Sequence, residues 1–297
     1  MDAMNVGYGM NATSMDNLTY RVAAHHWETF LQAAGVPEAA LTARQLLWFV
    51  CGMTPADWLM RREEPMPLEE WEKYCKLAAK RQARVPLQHL TGEQEFMGLS
   101  FRVTPDVLIP RQDTEHLVEE ALACCEGKRV LDMCTGSGCI AISIAKLGKT
   151  EAVTGADISE AALAVARDNA ERLGAAVEWV QSDMFRGIDG EFDVIVSNPP
   201  YIPAEQIEGL EPEVKDHEPR LALYGGEDGL SYYRVLVTEG AKHLRPVRDG
   251  ENGGILIVEI GFDQGVSVPA LFREAGFSEV RVRKDYAGLD RVVIGHL

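Results

Sequence analysis

Positive charge is scarce in this chain: 29 lysines and arginines stand against 46 aspartates and glutamates, a formal net charge of −17. Proteins that track the phosphates of a nucleic acid usually carry the opposite bias. Nucleic acid is therefore not expected as the direct substrate, and the acidic surface reads as a solubility feature. Paired cysteine spacing is missing too. The six cysteines, at positions 51, 75, 124, 125, 134 and 139, form no C-x-x-C pair; they fit neither a zinc site nor a disulfide framework, and no metal is expected. The first fifteen residues, MDAMNVGYGMNATSM, have no basic segment and no apolar run. They are not a secretory signal, and a disordered polar leader is expected over 1–15. No stretch approaches the ~18 uncharged apolar residues of a membrane span. The expectation is a cytoplasmic, monomeric protein with reduced thiols.

Apolar residues make up 46% and charged residues 25% of the 297, enough for a core that needs no metal or disulfide staple. From Asp16 onward the pattern is helical. Trp27, Phe30, Leu31 and Ala34 recur at helix spacing, then Leu46, Leu47, Phe49 and Val50 after Pro37, and later Trp71, Tyr74 and Leu77. Pro55, Pro65 and Pro67 punctuate these runs. A helical domain is expected over 16–90, a β-hairpin linker around Gly98 over 91–106, and a larger domain over 107–297. In the larger domain strands and helices alternate. Strands are expected at Arg129–Met133, Ala152–Ala156, Val177–Gln181, Phe192–Ser197 and Gly254–Ile260, and helices at Thr114–Cys125, Cys139–Leu147, Ala161–Leu173, Ser231–Leu244 and Val268–Ala275. That order means an α/β domain with a mostly parallel sheet covered on both faces. A terminal hairpin, Glu279–Arg283 and Arg291–Gly295, adds an antiparallel strand.

The run Val130-Leu-Asp-Met-Cys-Thr-Gly-Ser-Gly138 puts a small-residue turn at the carboxyl end of the first parallel strand, where open α/β sheets bind ligands. Gly136 and Gly138 let a ligand approach the backbone, and the helix that follows offers N–H groups. Asp157 closes the next strand, and its carboxylate can accept from both hydroxyls of a ribose. Gly136-Ser-Gly138-Cys-Ile-Ala141 also satisfies G-x-G-x-x-A, with Asp157 about 20 residues on. By spacing alone an NAD-dependent dehydrogenase fits as well as a methyltransferase, and the motif establishes only an adenosine cofactor.

A second motif narrows the choice. The strand Phe192–Ser197 runs straight into Asn198-Pro199-Pro200-Tyr201, a tetrapeptide expected by chance about once in a thousand chains of this length. The prolines stiffen the backbone and bring carbonyl acceptors without N–H donors. Asn198 adds a side-chain carbonyl, and Tyr201 a face on which a flat group can stack. Such a clamp suits a planar amide or aromatic amine. Its nitrogen lone pair is delocalised, so acceptors that strengthen as positive charge develops favour the transition state selectively. Holding the nitrogen in line with a sulfonium methyl supplies proximity.

With both motifs in place, the sequence resembles the protein-(glutamine-N5) methyltransferases that act on class I peptide-chain release factors. The likeness runs from about residue 17 to the end. It includes Arg84-Val-Pro-Leu-Gln-His-Leu-Thr-Gly92, Val107-Leu-Ile-Pro-Arg-Gln-Asp-Thr-Glu115, the Thr135–Gly138 turn, Asn198–Tyr201 and Glu218-Pro-Arg-Leu-Ala-Leu-Tyr-Gly-Gly-Glu-Asp-Gly229. The resemblance implies a seven-stranded, Rossmann-like methyltransferase domain behind a five-helix N-terminal domain that recognises the release factor. It also implies S-adenosylmethionine as methyl donor, S-adenosylhomocysteine as product, and the glutamine of a Gly-Gly-Gln loop as acceptor. Carried over to this sequence, Cys134, Thr135, Gly136, Ser137, Gly138, Asp157, Met184 and Asn198 hold the cofactor. Asn198, Pro199, Pro200 and Tyr201 form the catalytic glutamine pocket, with Arg111 beside it.

Three positions depart from the family pattern. Cys134 replaces a glycine at the head of the turn, so its backbone is either outside the left-handed region or mildly strained. Gln112 replaces a proline, which should loosen its loop. Met184 stands where an aromatic is frequent, and its thioether can still pack on adenine. Glu218 and Arg220 read as orienting a substrate loop or as a surface ion pair, His217 as a loop residue, and His25 and His26 as surface or packing groups. The alternatives are N5-methylation of a ribosomal-protein glutamine and N6-methylation of adenine in nucleic acid. A dehydrogenase or a silent binding module stands further off.

Overall fold

The computed structural model describes residues 17–247 and 253–297. The leader expected over 1–15 lies outside them. The chain divides into two compact units, Met1–Thr91 and Gly92–Leu297.

The first unit is helical, with Tyr20–Ala33, Ala39–Cys51, Pro55–Arg61, Leu68–Gln82 and Leu87–Thr91. Local chemistry sets the boundaries. Thr19 caps the first helix through the Val22 N–H. Gly52 ends the second in the left-handed region. Thr54 and Asp57 form a reciprocal capping box ahead of Pro55 at the start of the third. Trp27, Leu31, Leu46, Leu47, Trp71 and Tyr74 form the heart of the core, and the Tyr74 hydroxyl donates to the Ala43 carbonyl at 2.9 Å. Phe30 and Phe49, which share the apolar periodicity, are 36% and 50% exposed. A stripe wider than the packed face leaves its rim in water.

The second unit opens with an antiparallel hairpin, β1 (Glu93–Phe96) and β2 (Leu99–Arg102). It is fastened to this unit: Asn169 exchanges hydrogen bonds with the Arg102 backbone in both directions. Seven further strands follow: β3 (Arg129–Met133), β4 (Ala152–Asp157), β5 (Glu178–Gln181), β6 (Val194–Ser197), β7 (Ile255–Glu259), β8 (Ser278–Lys284) and β9 (Asp290–His296). They form one sheet in the order β5-β4-β3-β6-β7-β9-β8. β3 to β7 pair in parallel, and β9 runs antiparallel to both β7 and β8. The interior strands are apolar on both faces. Val130, Val194 and Ile257 pack with Leu117 and Ile140 on one side; Leu131, Ile195 and Val258 pack with Tyr233, Leu236 and Phe272 on the other.

Several expected elements are shorter than their apolar runs, among them the helix expected over Thr114–Cys125, which is Glu115–Leu122. Phe192 stands outside β6 as an isolated bridge to Leu244. The single helix expected over Ser231–Leu244 is broken at Glu239 into Ser231–Thr238 and Gly240–His243. Gly240 there lies against the Phe185 ring, where a Cβ would sit 3.2 Å from it. Between β6 and Ser231 the chain forms only short turns of helix, Ala204–Ile207, Pro212–Lys215 and Arg220–Leu223. Among the described residues no helix is long and apolar enough to cross a membrane.

Candidate active site

The chain enters the large sheet at its middle, moves outward through β4 and β5, then returns to build β6 and β7 on the other side of β3. Such a reversal leaves a crevice at the carboxyl ends of the central strands. A cleft lies there, where open α/β sheets bind their ligands. Cys134, Thr135, Gly136, Ser137, Asp157, Met184, Asn198, Pro200 and Arg111 all line it. Gly138, Pro199 and Tyr201 do not.

On the cofactor side, Asp157 accepts from the Gly136 and Ser159 backbone N–H groups, one on each oxygen, at 2.9 Å. Each oxygen keeps a lone pair for a ribose hydroxyl. Burial raises the Asp157 pKa, and the backbone donors counter it. Gly136, at φ 56, has open space where its Cβ would be, so the backbone there is bare to a ligand. Gly138 serves packing instead: a Cβ would meet the Trp179 ring at 2.9 Å and Ala166 at 3.0 Å. Cys134 is in the left-handed region at φ 64, so of the two expected outcomes the strained one holds, at a cost of about 1–2 kcal/mol. Met184 is also left-handed, at φ 49, and its sulfur lies 3.9 Å from the Cys134 thiol. Burial pushes that thiol far up, which keeps it protonated.

Asp132, inside β3, organises the turn from behind. It is fully buried, and one carboxylate oxygen accepts from the Thr135 hydroxyl at 2.5 Å and from the Ala141 N–H at 3.1 Å. One N–H at the start of the helix is thus already used. The other oxygen has no partner, and burial raises the pKa to about 7.

The Asn198–Tyr201 segment leaves the end of β6, and the Ser197 hydroxyl ties that end to the Met133 carbonyl of β3 at 2.6 Å. Asn198 donates from Nδ2 to Thr114 Oγ1 at 3.3 Å. Glycines allow the neighbouring chain to close on the segment. A Cβ on Gly225 would sit 2.6 Å from Tyr201 Cα, and one on Gly229 would sit 2.5 Å from the Tyr201 carbonyl oxygen. Gln264 reaches the same carbonyl with Nε2 at 3.2 Å and holds Gly229 as well. Tyr201 packs into the core beneath the cleft. The buried Glu259 carboxylate is close enough to act electrostatically on the Tyr201 hydroxyl.

The stretch Arg111-Gln-Asp-Thr-Glu115 proves to be a junction. Arg111 Nη2 donates to both oxygens of Glu218, at 2.7 and 2.8 Å. The Glu218 side chain is only 1% exposed, and burial raises its pKa against the pull of Arg111. Asp113 pairs with Arg291 at 3.3 Å, Thr114 holds Asn198, and Glu115 accepts from the Met97 N–H in the hairpin turn at 2.7 Å. Gln112 is exposed and opens a 3-10 turn, Gln112–Thr114. Glu218 thus pairs with Arg111, while Arg220 is exposed. Thr114, Glu259, Gln264, Gly225 and Asp132 were not singled out from sequence. The available signal was a lone carboxylate inside each apolar strand, in Val130-Leu-Asp132-Met and Ile257-Val-Glu259-Ile.

Residues 23–92 match the family described as the PrmC N-terminal domain, and residues 112–210 match the methyltransferase small domain. The release factor glutamine methyltransferase of Geobacter sulfurreducens is 43% identical over 270 residues, covering 90% of this chain and 93% of the relative. That of Moorella thermoacetica is 45% identical over 273 residues, covering 90% and 94%. Among solved structures, a methyltransferase from Pyrococcus furiosus aligns with a TM-score of 0.53 at 22% identity, covering 73% of this chain and 98% of that one. That last likeness concerns fold alone.

Proposed function

Since the chain belongs to the release factor glutamine methyltransferase family, we propose that it moves a methyl group from S-adenosylmethionine to the side-chain amide of a release-factor glutamine, the N5 nitrogen of a Gly-Gly-Gln loop. The observation that carries this reading is the placement of Asn198. It lies on the wall of the cleft that also holds Asp157 and Met184, and its NH₂ is engaged by Thr114. Its carbonyl is thereby left to accept from an incoming amide.

The residues fit the cofactor. Asp157 has ribose-accepting capacity on both oxygens, Gly136 bares the backbone, and Met184 offers a polarisable surface for adenine. S-adenosylmethionine, when bound, supplies a methyl group made electrophilic by its sulfonium. The protein's part is positional and electrostatic. Asn198, held by the stiff Pro199–Pro200 backbone, fixes the amide nitrogen and strengthens its hydrogen bond as charge builds on it. The nitrogen lone pair would form the N–C bond as the methyl leaves its sulfur, the S–C electron pair staying on sulfur, and the nitrogen would give up one N–H hydrogen as a proton to solvent. The Trp58, Leu59 and Met60 helix of the N-terminal unit leaves Leu59 and Met60 68% and 83% exposed, and we assign contact with the release factor to this unit.

Mass spectrometry of a class I release factor incubated with the protein and S-adenosylmethionine tests the reading. A single methyl gain confined to the Gly-Gly-Gln peptide is expected, and Asn198→Ala should abolish it while S-adenosylhomocysteine still binds. Transfer to a ribosomal-protein glutamine or an adenine, with none to the release factor, would replace this substrate assignment.

A further inference from the structure

Four large apolar side chains stand in water on two neighbouring turns of the second unit. Phe262 and Val266 follow β7 and are 62% and 84% exposed; Tyr286 and Leu289 join β8 to β9 and are 90% and 44% exposed. Apolar residues exposed singly need no explanation, but a group of them on one patch marks a contact surface. The two turns meet. The Ile260 N–H donates to the Arg291 carbonyl at 2.9 Å, and a Cβ on Gly265 would fall against the Asp290 carboxylate.

The position of the patch follows from the sheet. Glu259 at the end of β7 pairs with Val292 of β9, so both turns lie at the edge where the parallel strands end and the cleft opens. Polar side chains brace the turns and reach the clamp. Asp285 accepts from the Ala287 and Leu289 N–H groups at 2.9 Å each and from Arg291 at 3.0 Å. Arg291 goes on to Asp113, next to the Thr114 that holds Asn198. Gln264 takes the Gly261 N–H on Oε1 at 2.9 Å while its Nε2 donates to the Tyr201 carbonyl. The Tyr286 ring meets His116 edge-on, with centroids 4.5 Å apart.

We propose that Phe262, Val266, Tyr286 and Leu289 form a docking surface for the release factor, taking an apolar patch on the body of that protein beside its glutamine loop. This contact adds to the one assigned to the N-terminal unit, and it rests on the substrate reading above. A glutamine held at Asn198 belongs to a folded protein, so the surface flanking its loop has to lie on the rim of the cleft. There the two apolar faces leave water together. Aromatic anchors on braced turns lose little freedom on binding. The contact is made away from the reacting amide and is equal in ground and transition states, so it acts on KM rather than kcat.

The test uses full-length protein carrying Phe262→Ser, Val266→Ser, Tyr286→Ser and Leu289→Ser, singly and combined. Leu147→Ser is the control: Leu147 is 48% exposed at the end of the helix Cys139–Leu147, which runs back from β3 to the opposite edge of the sheet. Methyl transfer to a class I release factor gives KM and kcat, and calorimetry gives release-factor affinity for the enzyme loaded with S-adenosylhomocysteine. In the combined variant KM and Kd for the release factor should rise about tenfold or more, with kcat, S-adenosylhomocysteine affinity and thermal midpoint near wild type. Unchanged KM and Kd would overturn the proposal. So would a lower thermal midpoint and kcat at constant KM, which would make these residues structural. A wild-type dimer in sedimentation that the combined variant splits would give the surface to a second copy of this chain and overturn it as well. Absence of transfer to the release factor by the wild type would remove the substrate assignment itself; transfer with KM unaltered across the variants removes this surface alone.

Discussion

Replacing Gly225 with alanine should damage catalysis by pressing on the backbone of the clamp, without removing any of its side chains. The added Cβ would lie 2.6 Å from Tyr201 Cα, 2.7 Å from its carbonyl carbon and 2.9 Å from the Pro200 carbonyl oxygen. These are backbone atoms and cannot swing aside. Ordinary contact begins near 3.4 Å, so the two segments must part by about 0.8 Å. Overpacking of this kind costs about 1–3 kcal/mol, which for a unit of this size lowers the thermal midpoint by roughly 2–4 °C per kcal/mol. The larger effect falls on rate, because a displacement near 1 Å of a positioning element costs on the order of 100-fold. The assay is transfer of labelled methyl to a release factor at saturating cofactor, with S-adenosylhomocysteine binding measured in parallel. Gly209→Ala is the control, since its nearest neighbour would be an ordinary 3.5 Å away. If Gly225→Ala turns over like wild type, the close approach of this glycine does not set the clamp, and the reasoning fails.

Other perturbations separate the parts of the site. Asp157→Ala should weaken S-adenosylhomocysteine binding at least tenfold in calorimetry while leaving much of kcat at saturation; unchanged binding would take Asp157 off the ribose. Arg111→Ala strands the 1%-exposed Glu218 carboxylate, so it should cost on the order of 2–3 kcal/mol in denaturant unfolding. Adding Glu218→Gln should recover part of that loss, and simple additivity of the two changes would argue against coupling. Asp132 and Glu259 are both raised by burial to about 7. Between pH 4 and 7 the folded chain therefore holds protons that the unfolded chain has released, and stability falls as pH rises through that window. Asp132→Asn should flatten the decline of thermal midpoint between pH 5 and 8; an unaltered slope would mean that this carboxylate is ionised throughout.

The sequence alone determined what local chemistry and periodicity can write. Alternating apolar strands and amphipathic helices specified a parallel sheet with covered faces, because each element must bury its own apolar side. The glycine turn after β3, the acid closing β4 and the Asn198–Tyr201 exit from β6 were legible because each is a short local signal at a strand end. Boundaries slipped where a tertiary contact intervened, as at Glu239 beside the Gly240–Phe185 approach. What only the folded chain decided is which residues meet. Thr114 and Asn198 are 84 positions apart, and Arg111 and Glu218 are 107 apart. No local pattern links them, since a hydroxyl or carboxylate shows its partner only once the strands are side by side. Asp132 and Glu259 appear in the sequence as charged breaks in apolar runs. Their burial, their shifted protonation and the direction in which each points its proton-accepting oxygens were set by the tertiary structure, which removes water and leaves a few fixed donors in its place.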